Sequence, residues 1–265
     1  MFMQRLITSL ILVPIVLFTL FYANPWILGA ILLATVLLAG TECWQLIPLQ
    51  RWSMKFAFML VLMLALYGCY LFYDYWLVLG LIVWLGVCVA ILTFPASQAY
   101  WGNPVIVSAL CWLFIPLFML SLMHLYFLPQ GKSLVLYLLF LVWAADVGAY
   151  LFGKLWGRHK MIPQVSPGKS WEGLGGGFLL ALIIATVAYY YYQPNSFTMW
   201  FVLAILTVII SVFGDLFVSI LKRRCHLKDT GALIPGHGGV LDRLDSLMAA
   251  LPVFYLGLTY ISLGV

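Results

Sequence analysis

The chain alternates between long apolar runs and brief polar intervals. Nine runs stand out, near Leu6 to Tyr22, Trp26 to Ile47, Phe56 to Phe72, Trp76 to Phe94, Val105 to Phe127, Ser133 to Phe152, Gly173 to Tyr192, Met199 to Leu221 and Val240 to Leu263. Each approaches the roughly 20 helical residues that cross a bilayer core. A transmembrane barrel would alternate polar and apolar residues over strands of about ten positions, and these runs do not. The pattern predicts an all-α fold, a polytopic membrane bundle of about nine transmembrane helices. Arg5 precedes the first run, and Phe21, Tyr22 and Ala23 make a poor cleavage site. That run therefore reads as a retained anchor with a cytoplasmic N-terminus.

Composition sharpens this picture. The chain is 65% hydrophobic and 8% charged, where soluble domains carry about 25% charged residues. Nine crossings put the N-terminus and the breaks after the even-numbered runs on one face. Of the 13 Lys and Arg residues, all except Lys132 fall on that face or at its rim, and the positive-inside rule makes it cytoplasmic. The expected organisation is one membrane domain over 1–265, with helices in 1–130 and the chemistry-bearing segments in 131–265. Five cysteines without a CxxC pair, four of them in apolar runs, read as small hydrophobes and not as a disulfide framework or zinc site.

Charge then locates the candidate chemistry. Of eight acids, six lie between Asp146 and Asp245, several inside runs where a carboxylate costs about 3 kcal/mol at mid-bilayer and so marks a functional site. Asp146 sits about two turns before the end of the sixth run, with Tyr150 one turn on. Asp215 follows Gly214, with Ser219 and Lys222 at i+4 and i+7; a plain helix pair between Asp215 and Lys222 is the alternative use. Asp242 and Asp245, at i and i+3, project to one side of the first turns of the last helix. Set against Asp215, they predict a cation between them, and such a hard oxygen-rich site suits Mg²⁺. Glu172 reads as a cap for a helix from about Gly173, and Asp229 as a loop acid. Glu42, in GTECWQL, is expected to pair with a base on another helix, and the sequence does not name it.

Two polar segments on the base-rich face, 153–172 and 222–239, read as loops that handle phosphate. In QVSPGKSWEGLGGG, Ser166, Lys169 and Ser170 precede a helix start, an arrangement that favours anions. It lacks the GxxxxGK[ST] spacing of a Walker A motif. The second segment brings Lys222, Arg223, Arg224, Lys228, His237 and Arg243 together with the glycine-rich PGHGG. A basic cluster of this kind also fits anionic lipid headgroups, but the adjoining acids favour a metal-bound polyphosphate. His237, between glycines, can donate to a phosphate, whereas His124, His159 and His226 show no partner pattern.

The stretch SILKRRCHLKDTGALIPGHGGVLDRLD, from Ser219 to Asp245, resembles the signature of phosphatidate cytidylyltransferases (CDP-diacylglycerol synthases): S-x-x-K-R, then K-D, H-G-G and D-R-x-D. WAADVGAYLFGKLWGRHK and VSPGKSWEG are similar to that family's upstream blocks, so the resemblance covers roughly 140–250. It implies transfer of CMP from CTP to phosphatidic acid, giving CDP-diacylglycerol and pyrophosphate. It also implies Mg²⁺, with a second cation an option, and a multi-pass protein of the bacterial inner membrane whose site faces the cytoplasm. By that resemblance Asp215 and Asp242 are direct metal ligands, and Asp146 and Asp245 are ligands or near neighbours. Lys222, Arg223, Lys228 and Arg243 hold phosphates, as do Ser166, Lys169 and Ser170. Ser219, Asp229, Gly238 and Gly239 join the substrate site, and His237 is an electrostatic or positioning group. A homodimer is a family expectation, and no nucleic-acid partner is implied. Family members often carry an acid where this chain has Val218, a base at Gly168 and a threonine at Ser170.

Two alternatives draw on the same residues. Buried acids in a bundle also suit a transporter, but one would show repeated halves or interrupted helices at mid-membrane. A different lipid-headgroup phosphotransferase is the other; a CDP-alcohol enzyme would need a DGxxAR block, which this sequence lacks.

Overall fold

The computed structural model describes residues 2–234, Gly236 and residues 238–264, without the side chains of residues 2–7 and Ser9. Arg5 therefore lies outside the described side chains. The helices are α1 (Phe2–Tyr22), α2 (Pro25–Leu46), α3 (Trp52–Leu71), α4 (Tyr73–Leu92), the single turn α5 (Gln98–Trp101), α6 (Pro104–Tyr126), α7 (Gly131–Trp156), α8 (Trp171–Tyr192), α9 (Phe197–Arg224) and α10 (Leu241–Leu258). Between α7 and α8 lies an antiparallel hairpin, β1 (Lys160–Ile162) and β2 (Ser166–Ser170), with Lys160 opposite Ser170 and Ile162 opposite Ser166.

Nine of these helices coincide with the nine apolar runs. Seven of them, α2, α3, α4, α6, α7, α8 and α9, are long and apolar enough to cross a membrane. The expected count of nine crossings thus rests additionally on α1 and on α10, and the first turns of α10 carry Asp242, Arg243 and Asp245. Two boundaries differ from expectation. The segment 153–172 is not all loop: α7 runs on to Trp156 and the hairpin fills most of the remainder. Likewise Lys222, Arg223 and Arg224 form the last turn of α9, where cations complement the helix dipole.

Local chemistry sets the helix starts. Asn24 accepts from Ile27 N at 2.8 Å ahead of Pro25, and Asn103 accepts from Val105 N at 2.8 Å ahead of Pro104. Ser196 and Ser170 cap α9 and α8 in the same way. Such side chains satisfy amide groups left open at a helix N-terminus, and proline at N1 needs no donor there. Glu172 is therefore not the cap of α8; Ser170 Oγ accepts from Gly173 N at 3.1 Å.

The packing follows residue size. Lipid tails give helices no hydrophobic reason to associate, so close contact relies on small residues. Ala145, Ala149 and Gly153 repeat every four positions on α7, and Gly173, Gly177, Ala181 and Ala185 do so on α8. A Cβ at Gly173 would lie 2.7 Å from the Ala149 carbonyl, and one at Gly177 would lie 2.8 Å from that of Ala145. On α9, a Cβ at Gly214 would lie 2.9 Å from the Ala249 Cβ of α10 and would meet the Asp245 carbonyl. Trp84 of α4 stacks on Phe114 of α6 at 4.3 Å between centroids, and Phe217 of α9 meets both edge-on. Residues 215 and 217 point about 200° apart on a helix. The aromatic side of α9 is thus fixed against α4 and α6 while Asp215 looks toward the far side.

The α7–α8 seam gives a clean comparison. Gly177→Leu forces a side chain into the Ala145 carbonyl and should destabilise by about 1–3 kcal/mol, as overpacking does. At Gly175 a Cβ meets nothing within 4 Å, so Gly175→Leu should leave the melting temperature close to wild type. Thermal melts of the two variants in detergent would separate them.

Candidate active site

Three acids from three helices gather beneath the base-rich end of the bundle. Asp215 lies nine residues before the end of α9, about 13 Å down its axis, and Asp146 lies ten residues before the end of α7. That is nearly three turns, deeper than expected, because α7 continues past Phe152. The close approach at Gly214 brings Asp245 of α10 to the same level. Asp215 lies within electrostatic reach of both Asp146 and Asp245, so its charge opposes theirs.

Cations answer these acids from two directions. Lys169, on β2, reaches Asp215 Oδ2 at 2.7 Å and also the Val212 carbonyl at 3.4 Å. Ser219 donates to Asp215 Oδ1 at 3.3 Å. The exposed Arg243 acts on both Asp146 and Asp245, while Ser246 N donates to Asp245 Oδ1 at 2.8 Å. Lys222 does not form the in-helix pair with Asp215. It donates to Asp242 Oδ1 at 2.6 Å, where the Asp242 side chain is buried and that of Lys222 partly so.

Asp242 is the most fully engaged acid. Beyond Lys222, its Oδ2 accepts from Thr230 N at 2.8 Å, Thr230 Oγ1 at 3.0 Å and Gly239 N at 2.9 Å. Gly238 follows a left-handed path, with φ of +84°, and a Cβ there would lie 2.7 Å from Asp242 Oδ2. Asp242 and Asp245 thus diverge: the first faces the segment before α10, the second the seam with α9.

Glu42 has no basic partner among the described residues. Its buried carboxylate accepts from Val240 N at 2.7 Å, Leu241 N at 2.8 Å and Thr230 Oγ1 at 2.8 Å. Glu172 turns back across the hairpin to His159, accepting from its backbone N at 3.2 Å and meeting Nδ1 at 2.6 Å. His159, expected to be unpartnered, therefore braces the hairpin. The hairpin is tied to α9 as well, where Arg223 Nε donates to the Val165 carbonyl at 3.3 Å. Arg224 points the other way and donates to the Gly102 and Leu46 carbonyls, so it clasps α9 to the end of α2 and takes no part in the acid cluster.

The structure thus brings together Asp146, Lys169, Asp215, Ser219, Lys222, Asp242, Arg243 and Asp245. Ser170 is engaged in capping α8. Among the described residues, Ser166, Lys228 and Asp229 make no side-chain hydrogen bond, and His237 lies outside the described residues. No three carboxylate, histidine or thiol groups among the described residues converge as the ligands of an occupied metal site do. The donor set at Asp146, Asp215 and Asp245 is nevertheless all oxygen, and the charge at Asp215 opposes the other two, which suits a hard cation. Thr230 was not foreseen, because a loop hydroxyl beside Asp229 carries no distinctive spacing.

Residues 3–261 match the profile described as the cytidylyltransferase family. The chain belongs to that family. It is 36% identical to the phosphatidate cytidylyltransferase of Haemophilus influenzae over 96% of this chain and 97% of that protein. It is 38% identical to the one from Pseudomonas aeruginosa over 96% of each. A Staphylococcus aureus phosphatidate cytidylyltransferase is 44% identical over 47% of this chain and 48% of its own length. The cytidylyltransferase family is one of nucleotidyl-transferring enzymes, and the transporter alternative falls away. The first half of the chain, similar by sequence reading only in hydropathy, length and the region of Glu42, is covered by the family match as well.

The Lys222–Asp242 pair can be tested by a cycle. Lys222→Met leaves a buried charge without its partner and should cost about 3–5 kcal/mol. Adding Asp242→Asn, whose amide oxygen still accepts from Thr230 N and Gly239 N, should restore most of the lost melting temperature. A double variant no more stable than Lys222→Met would show that the pair contributes little.

Proposed function

We infer that the protein transfers the cytidylyl group of CTP to phosphatidic acid, giving CDP-diacylglycerol and pyrophosphate in phospholipid biosynthesis. Near full-length similarity to proteins named phosphatidate cytidylyltransferase carries this reading, and the cluster of acids and bases fits it. An oxygen of the lipid phosphate attacks the α-phosphorus of CTP, the bond to the bridging oxygen breaks, and pyrophosphate leaves. The attacking group is already an anion, so no strong general base is required. Such a transfer needs alignment and charge neutralisation.

The chain's residues supply both. Asp146, Asp215 and Asp245 would hold Mg²⁺, with Asp242 Oδ1 able to join once Lys222 turns away. When bound, the ion neutralises phosphate charge. Lys169 and Lys222, which rest on Asp215 and Asp242, carry ammonium groups suited to the triphosphate. Arg223, Lys228 and Arg243 are exposed around the same end and suit the lipid phosphate or the leaving group. The distribution of Lys and Arg supports a cytoplasm-facing site in the bacterial inner membrane.

Purified protein in detergent should convert labelled CTP and phosphatidic acid to CDP-lipid in Mg²⁺, and excess chelator should abolish the product. Undiminished product with chelator would remove the metal from the reading. Asp215→Asn should lower turnover by roughly two orders of magnitude while the protein still folds; a wild-type rate would remove Asp215 from the site.

A further inference from the structure

Helix α10 begins without a local cap. The residues before it are Gly238, Gly239 and Val240, and Val240 contributes no side-chain hydrogen bond to the first turn. Helix N-termini leave amide groups that need acceptors. Here the acceptor is Glu42, 198 residues upstream on α2, which takes the amides of Val240 and Leu241 on its two oxygens. The first turn so held is the one that presents Asp242, Arg243 and Asp245.

A second link runs through Thr230. Its hydroxyl lies 2.8 Å from Glu42 Oε2 and 3.0 Å from Asp242 Oδ2, and it carries one proton to share between them. Thr230 is fully buried and Glu42 is 7% exposed, so water does not compete. The glycines around this bridge follow from it. A Cβ at Gly231 would lie 2.7 Å from Glu42 Oε1, and one at Gly239 would overlap both Glu42 and Thr230 Oγ1.

We propose that Glu42 is a positioning residue for cytidylyl transfer, acting on Asp242 through Thr230 and on Asp245 through the first turn of α10. The inference rests on the reaction assigned above. A carboxylate in this role differs from an ordinary structural acid because its loss displaces the reacting acids before it unfolds the protein.

The variants are Glu42→Gln, Thr230→Val and Thr230→Ser, compared with wild type in the CTP and phosphatidic acid assay per folded molecule and over a Mg²⁺ titration. Glu42→Gln puts an amide donor against Val240 N–H or Leu241 N–H, and Thr230→Val removes only the bridging hydroxyl. Each should lower kcat by about 10- to 100-fold and raise the Mg²⁺ concentration for half-maximal rate, as loss of a supporting partner does. Thr230→Ser, which keeps the hydroxyl, should recover most of the rate. Should Glu42→Gln not fold, the valine and serine pair decides. The inference is overturned if Glu42→Gln and Thr230→Val keep kcat within about twofold, well below the change such partners cause, or if serine is as impaired as valine. Absence of CDP-lipid from wild type would instead overturn the reaction itself, and the inference with it.

Discussion

An ionised carboxylate taken out of water must be surrounded by donors or countercharge, because the interior offers no other way to spread its charge. Asp215, Asp242 and Glu42 meet that demand, each in a different way. Asp215 has an ammonium from the hairpin and a hydroxyl one turn along its own helix. Asp242 has an ammonium and three further donors, and Glu42 has two backbone amides and a hydroxyl. Asp146 and Asp245 are less well supplied, and the charge at Asp215 opposes both. That imbalance separates Asp146 and Asp245 from the fully donated acids, and it is the observation on which the proposed Mg²⁺ site rests.

Small residues make this arrangement reachable. Without Gly214 the α9–α10 seam would open and Asp245 would withdraw from Asp215; without Gly173 and Gly177 α8, which the hairpin leads into, would sit farther from α7. The aromatic contact of Trp84, Phe114 and Phe217 holds the opposite side of α9. The geometry of the charged groups is therefore set largely by uncharged ones, through helix separation.

Much of this was legible in the sequence, for reasons specific to each part. Apolar runs are long and their boundaries carry asparagine, serine and proline, so the helices could be placed within a few residues. The i, i+4 spacing of Asp215 and Ser219 put the hydroxyl beside that acid, whereas the i, i+3 spacing of Asp242 and Asp245 suggested one shared face, which their separate partners divide. The partner of Glu42 could not be read, since its donors are backbone amides that have no letter of their own. Lys222 was read against Asp215 on its own helix, and only the packing of α10 on α9 brings Asp242 within its reach. Ser170 and Glu172 were both able to cap α8; the hairpin, whose Ser-Pro-Gly-Lys-Ser strand shows no alternation, takes Glu172 for His159.

The long sequence interval between Glu42 and the start of α10 bears on how the molecule is made. During synthesis α2 enters the membrane with its carboxylate well before the amides of Val240 and Leu241 leave the ribosome. Until then the Glu42 carboxylate lacks the two amides that hold it in the folded protein. Closure of α10 onto α2 supplies both amides at once, so two segments 198 residues apart complete each other's hydrogen bonding in a single contact.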